Sequence, residues 1–338
     1  MFEWHKLPIP QKLNFLNEAS ERTGYPNQII EKDFWVTVAL KAVFETAWAA
    51  ALVFKGGTSL SKAWNLIERF SEDIDLAIDR QALGFTPGEM SKSQIKKLRV
   101  ISAAFMEKEF MPALDQHLLQ NGIDRKQFHL EMEPIASDDV DPRIIKLCYT
   151  SMVKGDAYMQ DQVLIEIGAR SLREPCSKRA IQSIISERFP ETSVADPLFH
   201  IDSVLPERTF YEKAMLLHEE HCKAPEHRRY LRLSRHLYDL YRIKQSHHAA
   251  AALADKELFN TIVDHRKLFN TIRGISYDNH THQGIDFTPP KEGIELWKQD
   301  YEQMGLMIFG DRPAFDELIA EMNELLQMFR DAGVLSAT

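Results

Sequence analysis

Apolar and polar residues follow two rhythms along this chain. Residues 13–19 and 29–48 carry apolar positions at helical spacing, the second run through Ile30, Phe34, Val38 and Val43 with Trp35 beside them. Gly24-Tyr25-Pro26-Asn27 separates the runs and predicts that the second helix starts at Asn27. A short apolar run at 51–54 reads as a strand; it leads into Gly56-Gly57-Thr58-Ser59 and then a helix over 60–67. Residues 74–78 alternate, with Asp73, Asp75 and Asp79 at the polar positions, and form a second strand. A helix over 94–119 is interrupted by Pro112. Three more alternating runs, at 128–132, 145–149 and 163–167, predict a mixed sheet of about five strands, completed near Ala169. Beyond Ser171 the spacing is helical, over 178–188, 209–222, 230–244, 249–266 and 311–329, with 270–290 a loop. The expected class is α+β (mixed α/β): a mixed β-sheet core flanked by helices in residues 1–170, then a mainly helical domain in 171–338.

Strand, glycine turn, helix, strand is the order that carries chemistry. Glycine permits close backbone approach, and a helix start favours negative charge, so Gly56, Gly57, Thr58 and Ser59 form a candidate phosphate cradle with the two hydroxyls as added donors. The spacing is neither GxGxxG nor GxxxxGK[ST], and alone it reads equally as a tight turn. Asp73 and Asp75, two apart, face one side of a strand. Two carboxylates held so close raise each other's proton affinity unless a cation compensates, and a hard divalent ion is the natural compensator. Alternation by itself also accounts for them as a wet strand face; their position one helix after the glycine turn joins both motifs at one sheet edge. Glu166, a lone carboxylate between apolar neighbours on a central strand, is the candidate third metal ligand, since its burial without a partner would be costly. Glu131 and Glu133 compete for that role.

Composition narrows the picture. With 44% hydrophobic and 27% charged residues the chain is neither disordered nor fibrous. No apolar run approaches a membrane span, and the first residues lack a signal peptide's apolar region and cleavage site, so the expected location is cytoplasmic with no membrane partner. Cys148, Cys176 and Cys222 are too widely spaced for a disulfide scaffold or a CxxC knuckle and are expected reduced. The net charge of -9 is spread over both halves, which confines any nucleic-acid contact to a local basic surface. The densest positive stretch is 223–244, where Arg228, Arg232, Arg235 and Arg242 recur at intervals that predict one helical stripe. That stripe is a candidate for nucleotide or RNA phosphate; pairing with Glu219 and Glu220 is the structural alternative. His218, His221 and Cys222 do not match a zinc-protease spacing.

Five stretches carry a resemblance: IIEKDFWVTVALK at 29–41, FKGGTSLSKAW at 54–64, RFSEDIDLAI at 69–78, FYEKAMLLHEE at 210–220 and RHLYDLY at 235–241. Together they resemble the AbiEii/AbiGii toxin family of nucleotidyltransferases, within the DNA-polymerase-beta-like superfamily. The resemblance implies a nucleotidyltransferase-like sheet whose helical domain contributes to the active-site cleft. It also implies a phosphate turn at Gly57 with Thr58 or Ser59, metal-binding Asp73 and Asp75, a helical-domain lysine matching Lys213 and a later aspartate matching Asp239. The implied activity is Mg2+-dependent transfer of a nucleoside monophosphate from a nucleoside triphosphate (NTP) to a hydroxyl acceptor, releasing pyrophosphate. Glu166 would complete the metal site or assist acceptor deprotonation, Lys213 and Arg235 would meet phosphate, and Asp239 would orient either one or contact substrate. The implied role is the toxin of a toxin–antitoxin pair, with tRNA as acceptor and an antitoxin protein as partner. An enzyme modifying a protein or small metabolite, and a noncatalytic nucleotide-binding module, are the alternatives.

Overall fold

The computed structural model describes residues 3–86, 90–135, 140–153, 160–170, 173–270, 272 and 275–334; parts of the loops expected near 84–93 and 270–290 lie outside them. In chain order the helices are α1 (Glu3–Lys6), α2 (Ile9–Thr23), α3 (Asn27–Phe44), α4 (Gly56–Lys62), α5 (Lys92–Phe105), α6 (Met111–Gln120), α7 (Ile184–Arg188), α8 (Pro206–His221), α9 (Ser234–Lys244), α10 (His247–Ala254), α11 (Lys256–Phe269), α12 (Ile294–Met304) and α13 (Phe315–Val334). The strands are β1 (Leu52–Lys55), β2 (Ile74–Ile78), β3 (Phe128–Met132), β4 (Arg143–Tyr149), β5 (Gln162–Gly168), β6 (Cys176–Ile181) and β7 (Phe199–Val204). The chain divides into two compact units: Met1–Ala63 with Ser71–Val204, and Trp64–Phe70 with Leu205–Thr338. The class is the expected one, a mixed sheet flanked by helices and followed by a mainly helical region.

The first unit is built on a seven-stranded sheet in the order β3-β4-β5-β2-β1-β7-β6. β2 runs antiparallel to β1 and parallel to β5, so the two strands flanking the DxD pair are β1, which feeds the glycine turn, and β5, which carries Glu166. The sheet has two strands more than the sequence pattern predicts. Residues 178–188, expected as one helix, are instead β6 followed by the short α7, capped by the Ser183 hydroxyl. β6 is an edge strand on which Lys178 is exposed while Arg179 is half-buried and donates to the Ala63 carbonyl at 2.9 Å; charges on an edge discourage pairing with other chains and also mask the strand's alternation. Pro112 does not break the 94–119 helix outright: α5 runs to Phe105, a π-turn spans Met106–Phe110, and the proline sits in the first turn of α6 directly after it.

α3 is buried along nearly its whole length, from Gln28 to Leu40, and carries a continuous apolar surface through Phe34, Trp35, Val38 and Val43. Trp35 stacks on Tyr149 of β4 with ring centroids 5.1 Å apart.

In the second unit the aromatic core gathers Phe210 and Tyr211 of α8 with Phe329 of α13 and Phe287, and the Tyr211 hydroxyl donates to the Ala252 carbonyl at 2.6 Å. The segment Trp64–Phe70 is woven into this unit: the Phe70 amide donates to the Met307 carbonyl at 2.7 Å, and the Phe309 amide to the Glu68 carbonyl at 3.0 Å. The helix expected over 249–266 is two helices, because Asp255 ends α10 and caps α11 through the Leu258 amide.

Candidate active site

β1 ends at Lys55, and α4 begins at once with Gly56, so the glycines lie inside the helix's first turn rather than ahead of it. Gly56 has φ +78°, a conformation that side chains resist, and a Cβ there would lie 2.0 Å from Oδ2 of Asp75. Glycine is therefore required twice, by the backbone and by the carboxylate packed against it. The Thr58 hydroxyl donates to the backbone carbonyl of Asp73. Thr58 is fully buried, and this bond ties its hydroxyl to the DxD segment. Ser59 is 2% exposed, and its hydroxyl has no hydrogen-bond partner among the described residues. The backbone amides of the first turn remain the anion-facing feature of this helix.

Asp73 immediately precedes β2, and Asp75 is its second residue; both are half-buried. Asp75 is in register with Lys55 on one side and with Glu166 on the other, so a lysine and two carboxylates form a row across three adjacent strands. Lys55, Asp75 and Glu166 also line one pocket of about 110 Å³, together with Asp141, Pro142 and Arg170. Glu131 and Glu133, the rivals for the third carboxylate, lie on or just beyond β3, separated from β2 by β4 and β5, and Glu133 faces Lys146 at 3.6 Å. The row brings Glu166, not these two, to Asp75. Asp141 was not foreseen: its carboxylate accepts from the Ala169 amide at 3.0 Å and from Arg170 at 2.9 Å, fixing the turn that closes β5.

The second unit gathers another group. Asp239 on α9 is completely buried, and its two oxygens accept from Nε and Nη2 of Arg69, each at 2.7 Å. Lys213 on α8 reaches the same carboxylate at 2.8 Å. Burial alone would push the Asp239 carboxyl up, but Arg69 and Lys213 together outweigh it and hold the group well below the usual carboxylate range. Burial pulls the Lys213 ammonium down against the attraction of Asp239. The ring of His236, 3.3 Å from Lys213, is kept neutral by burial and by that lysine's charge. Lys213 and Asp239 are thus brought together, with Arg69 a third member that the sequence reading did not single out. The arginine stripe, in contrast, is not one helix face. α9 starts only at Ser234, Arg232 has φ +62°, and Arg228 precedes both, donating to the Lys223 carbonyl at 3.0 Å. Arg242 pairs with Glu68 at 2.6 Å, and Arg229 pairs with Glu220 at 3.2 Å.

A family model described as nucleotidyl transferase AbiEii toxin, type IV toxin–antitoxin system, matches residues 38–321. The chain belongs to the AbiEii family. It is a nucleotidyltransferase of the toxin class, and the matched residues take in the glycine turn, the DxD pair, Glu166, Lys213 and Asp239. Among solved structures this AbiEii chain is similar to MenT4, a nucleotidyltransferase toxin from Mycobacterium tuberculosis H37Rv, at 15% identity and TM-score 0.49 over 94% of this chain and 89% of that one. No curated protein matches it. No helix among the described residues is long and apolar enough to cross a membrane.

Proposed function

We propose that this AbiEii-family enzyme transfers a nucleoside monophosphate from an NTP to a hydroxyl of RNA, the 3′ end of tRNA, with Mg2+ as cofactor and pyrophosphate as leaving group. The observation that carries the chemistry is the in-register pairing of Asp75 with Glu166, with Gly56 packed against Asp75 at the start of α4. A glycine turn whose backbone amides open a helix, placed against a pair of strand carboxylates, is an arrangement suited to a polyphosphate carried with a divalent cation.

Asp73, Asp75 and Glu166 offer oxygen donors only, the chemistry Mg2+ requires, although no three His, Cys, Asp or Glu side chains among the described residues stand arranged as a ligand group. These three would hold the ion, which when bound supplies Lewis-acid stabilisation of phosphoryl charge and a more acidic acceptor hydroxyl. The protein's own groups do the rest. Thr58 fixes the Asp73 backbone, Gly56 lets the Asp75 carboxylate approach the turn, and Lys55 adds positive charge beside the two carboxylates. Glu166 is suited to accept the proton of the attacking hydroxyl. In the second unit, Lys213 and Arg235 are assigned to substrate phosphate, and Asp239 acts as the positioning partner of Lys213.

RNA as acceptor is supported by the concentration of positive charge in residues 223–244 of an otherwise acidic chain. The antitoxin of the pair is the expected protein partner. Incubating the enzyme with tRNA, total protein extract and each α-labelled NTP, then resolving RNA, protein and small products, tests the acceptor. Label confined to protein or to a small metabolite, absent with Asp75→Asn, would retain the chemistry and reject RNA. NTP binding without pyrophosphate release would instead indicate a noncatalytic module.

A further inference from the structure

Three consecutive charged residues, Glu31, Lys32 and Asp33, sit near the start of α3 and are 1%, 2% and 5% exposed. They precede the residues matched by the family model, and nothing in the proposed chemistry uses them. Burying three charges along an otherwise apolar helix is strongly unfavourable unless each is paired, so the pairs reveal what the burial achieves.

Lys32 donates to the Glu72 carboxylate and, at 2.9 Å, to the Gln160 carbonyl. Asp33 accepts from the Lys62 ammonium and, at 2.8 Å, from the Ile184 amide. Glu31 accepts from the Ser151 hydroxyl at 2.7 Å and the Met152 amide at 2.9 Å. The Lys32 and Asp33 partners are not scattered. Glu72 directly precedes Asp73, Gln160 lies two residues before the strand that carries Glu166, and Lys62 closes the helix that the glycine turn opens. One turn of a buried helix is therefore tied to the DxD strand, to the third-carboxylate strand and to the phosphate-turn helix. Apolar packing could bury the same surface, but it does not fix direction; hydrogen-bonded charge pairs do.

We infer that the Glu31-Lys32-Asp33 turn is the alignment frame of the active site, with Lys32 and Asp33 as positioning residues for the carboxylates and the glycine turn. This rests on the reading that Asp73, Asp75 and Glu166 carry nucleotidyl transfer. Lys32 acts through Glu72 on the backbone that presents Asp73, and through Gln160 on the strand that presents Glu166. Asp33 acts through Lys62 on α4.

The test uses the full chain with Lys32→Met, which keeps an unbranched apolar stem and removes the charged end, with Glu72→Gln, and with the two combined. Four quantities are read: pyrophosphate release at saturating NTP and Mg2+, NTP affinity by calorimetry, Mn2+ affinity without nucleotide by electron paramagnetic resonance, and Tm. All three variants should lose about 10- to 100-fold in turnover and in Mn2+ affinity, as disruption of supporting contacts around a metal site typically does, with NTP affinity unchanged. The double variant should be no worse than either single one, because both changes break one connection. A fall in Tm alone, with wild-type turnover and Mn2+ affinity in the folded variants, overturns the inference. Should Lys32→Met fail to fold, Glu72→Gln decides, because Glu72 is 22% exposed and tolerates an amide. If the wild type releases no pyrophosphate with any NTP while Glu72→Gln still weakens Mn2+ binding, the frame stands and the functional reading falls.

Discussion

Two glycines of this chain share a positive φ and differ in what surrounds them, which turns Gly56→Ala into a controlled experiment. Gly24 and Gly56 have φ of +75° and +78°; a Cβ at Gly24 meets nothing within 4 Å, whereas at Gly56 it would lie 2.0 Å from Oδ2, 2.8 Å from Cγ and 3.0 Å from Cβ of Asp75. The positive φ costs an alanine about 1–2 kcal/mol at either site. At Gly56 an overpacking cost of about 1–3 kcal/mol is added, for a total of about 2–5 kcal/mol. Real Cβ contacts essentially never fall below 3.0 Å, so the Asp75 carboxylate must retreat by about 1 Å, and a misplacement of that size costs about 100-fold in rate. Urea titration and pyrophosphate release measure the two effects. Gly24→Ala should lose only the backbone contribution and keep wild-type turnover; Gly56→Ala should lose more stability and about 100-fold in turnover. Equal stability losses in the two variants, with turnover intact in both, would refute the claim that Gly56 is reserved for the approach of Asp75.

Other outcomes follow from the same geometry. Asp239→Asn leaves Arg69 and Lys213 buried without their anion and should destabilise the second unit by about 3–5 kcal/mol in urea titrations; a loss below about 1 kcal/mol would contradict the pairing. Because the Asp239 carboxyl is held below its unfolded value of about 3.9, its contribution is complete above that pH and is lost as pH falls through the folded value, so the wild type should lose stability more steeply below about pH 4 than the variant does. Thr58→Val removes the donor to the Asp73 carbonyl and should cost about 1–3 kcal/mol and lower turnover, whereas Thr58→Ser should retain both; a fully active Thr58→Val protein would contradict the positioning role. Asp73→Asn and Asp75→Asn should each abolish pyrophosphate release while leaving the folded state intact by circular dichroism, and unchanged release in both would remove the metal assignment.

The first sheet edge was legible because its signals are local. Alternation marks β2 at 74–78 to the residue, and the glycine turn follows β1, which lies beside the DxD strand, as their order suggests. What the sequence concealed depends on long-range partners. Glu31, Lys32 and Asp33 look like a solvated helix turn, since nothing nearby in sequence announces Glu72, Gln160 or Lys62. Arg69 lies four residues before Asp73 yet pairs with Asp239, 170 residues away. β6 was missed because an edge strand bearing Lys178 and Arg179 shows helical and strand periodicity equally badly, and residue spacing alone implied an arginine stripe that the left-handed turn at Arg232 breaks.

The central claim is that a nucleoside monophosphate, not a phosphate, is transferred. The most direct measurement gives the purified enzyme tRNA and Mg2+ with each NTP labelled in turn at the α and the γ position, alongside Asp75→Asn. The account predicts α-label joined to RNA, γ-label released entirely as pyrophosphate, and neither event with Asp75→Asn. Transfer of γ-label to any acceptor, or α-label incorporation that survives Asp75→Asn, would contradict it.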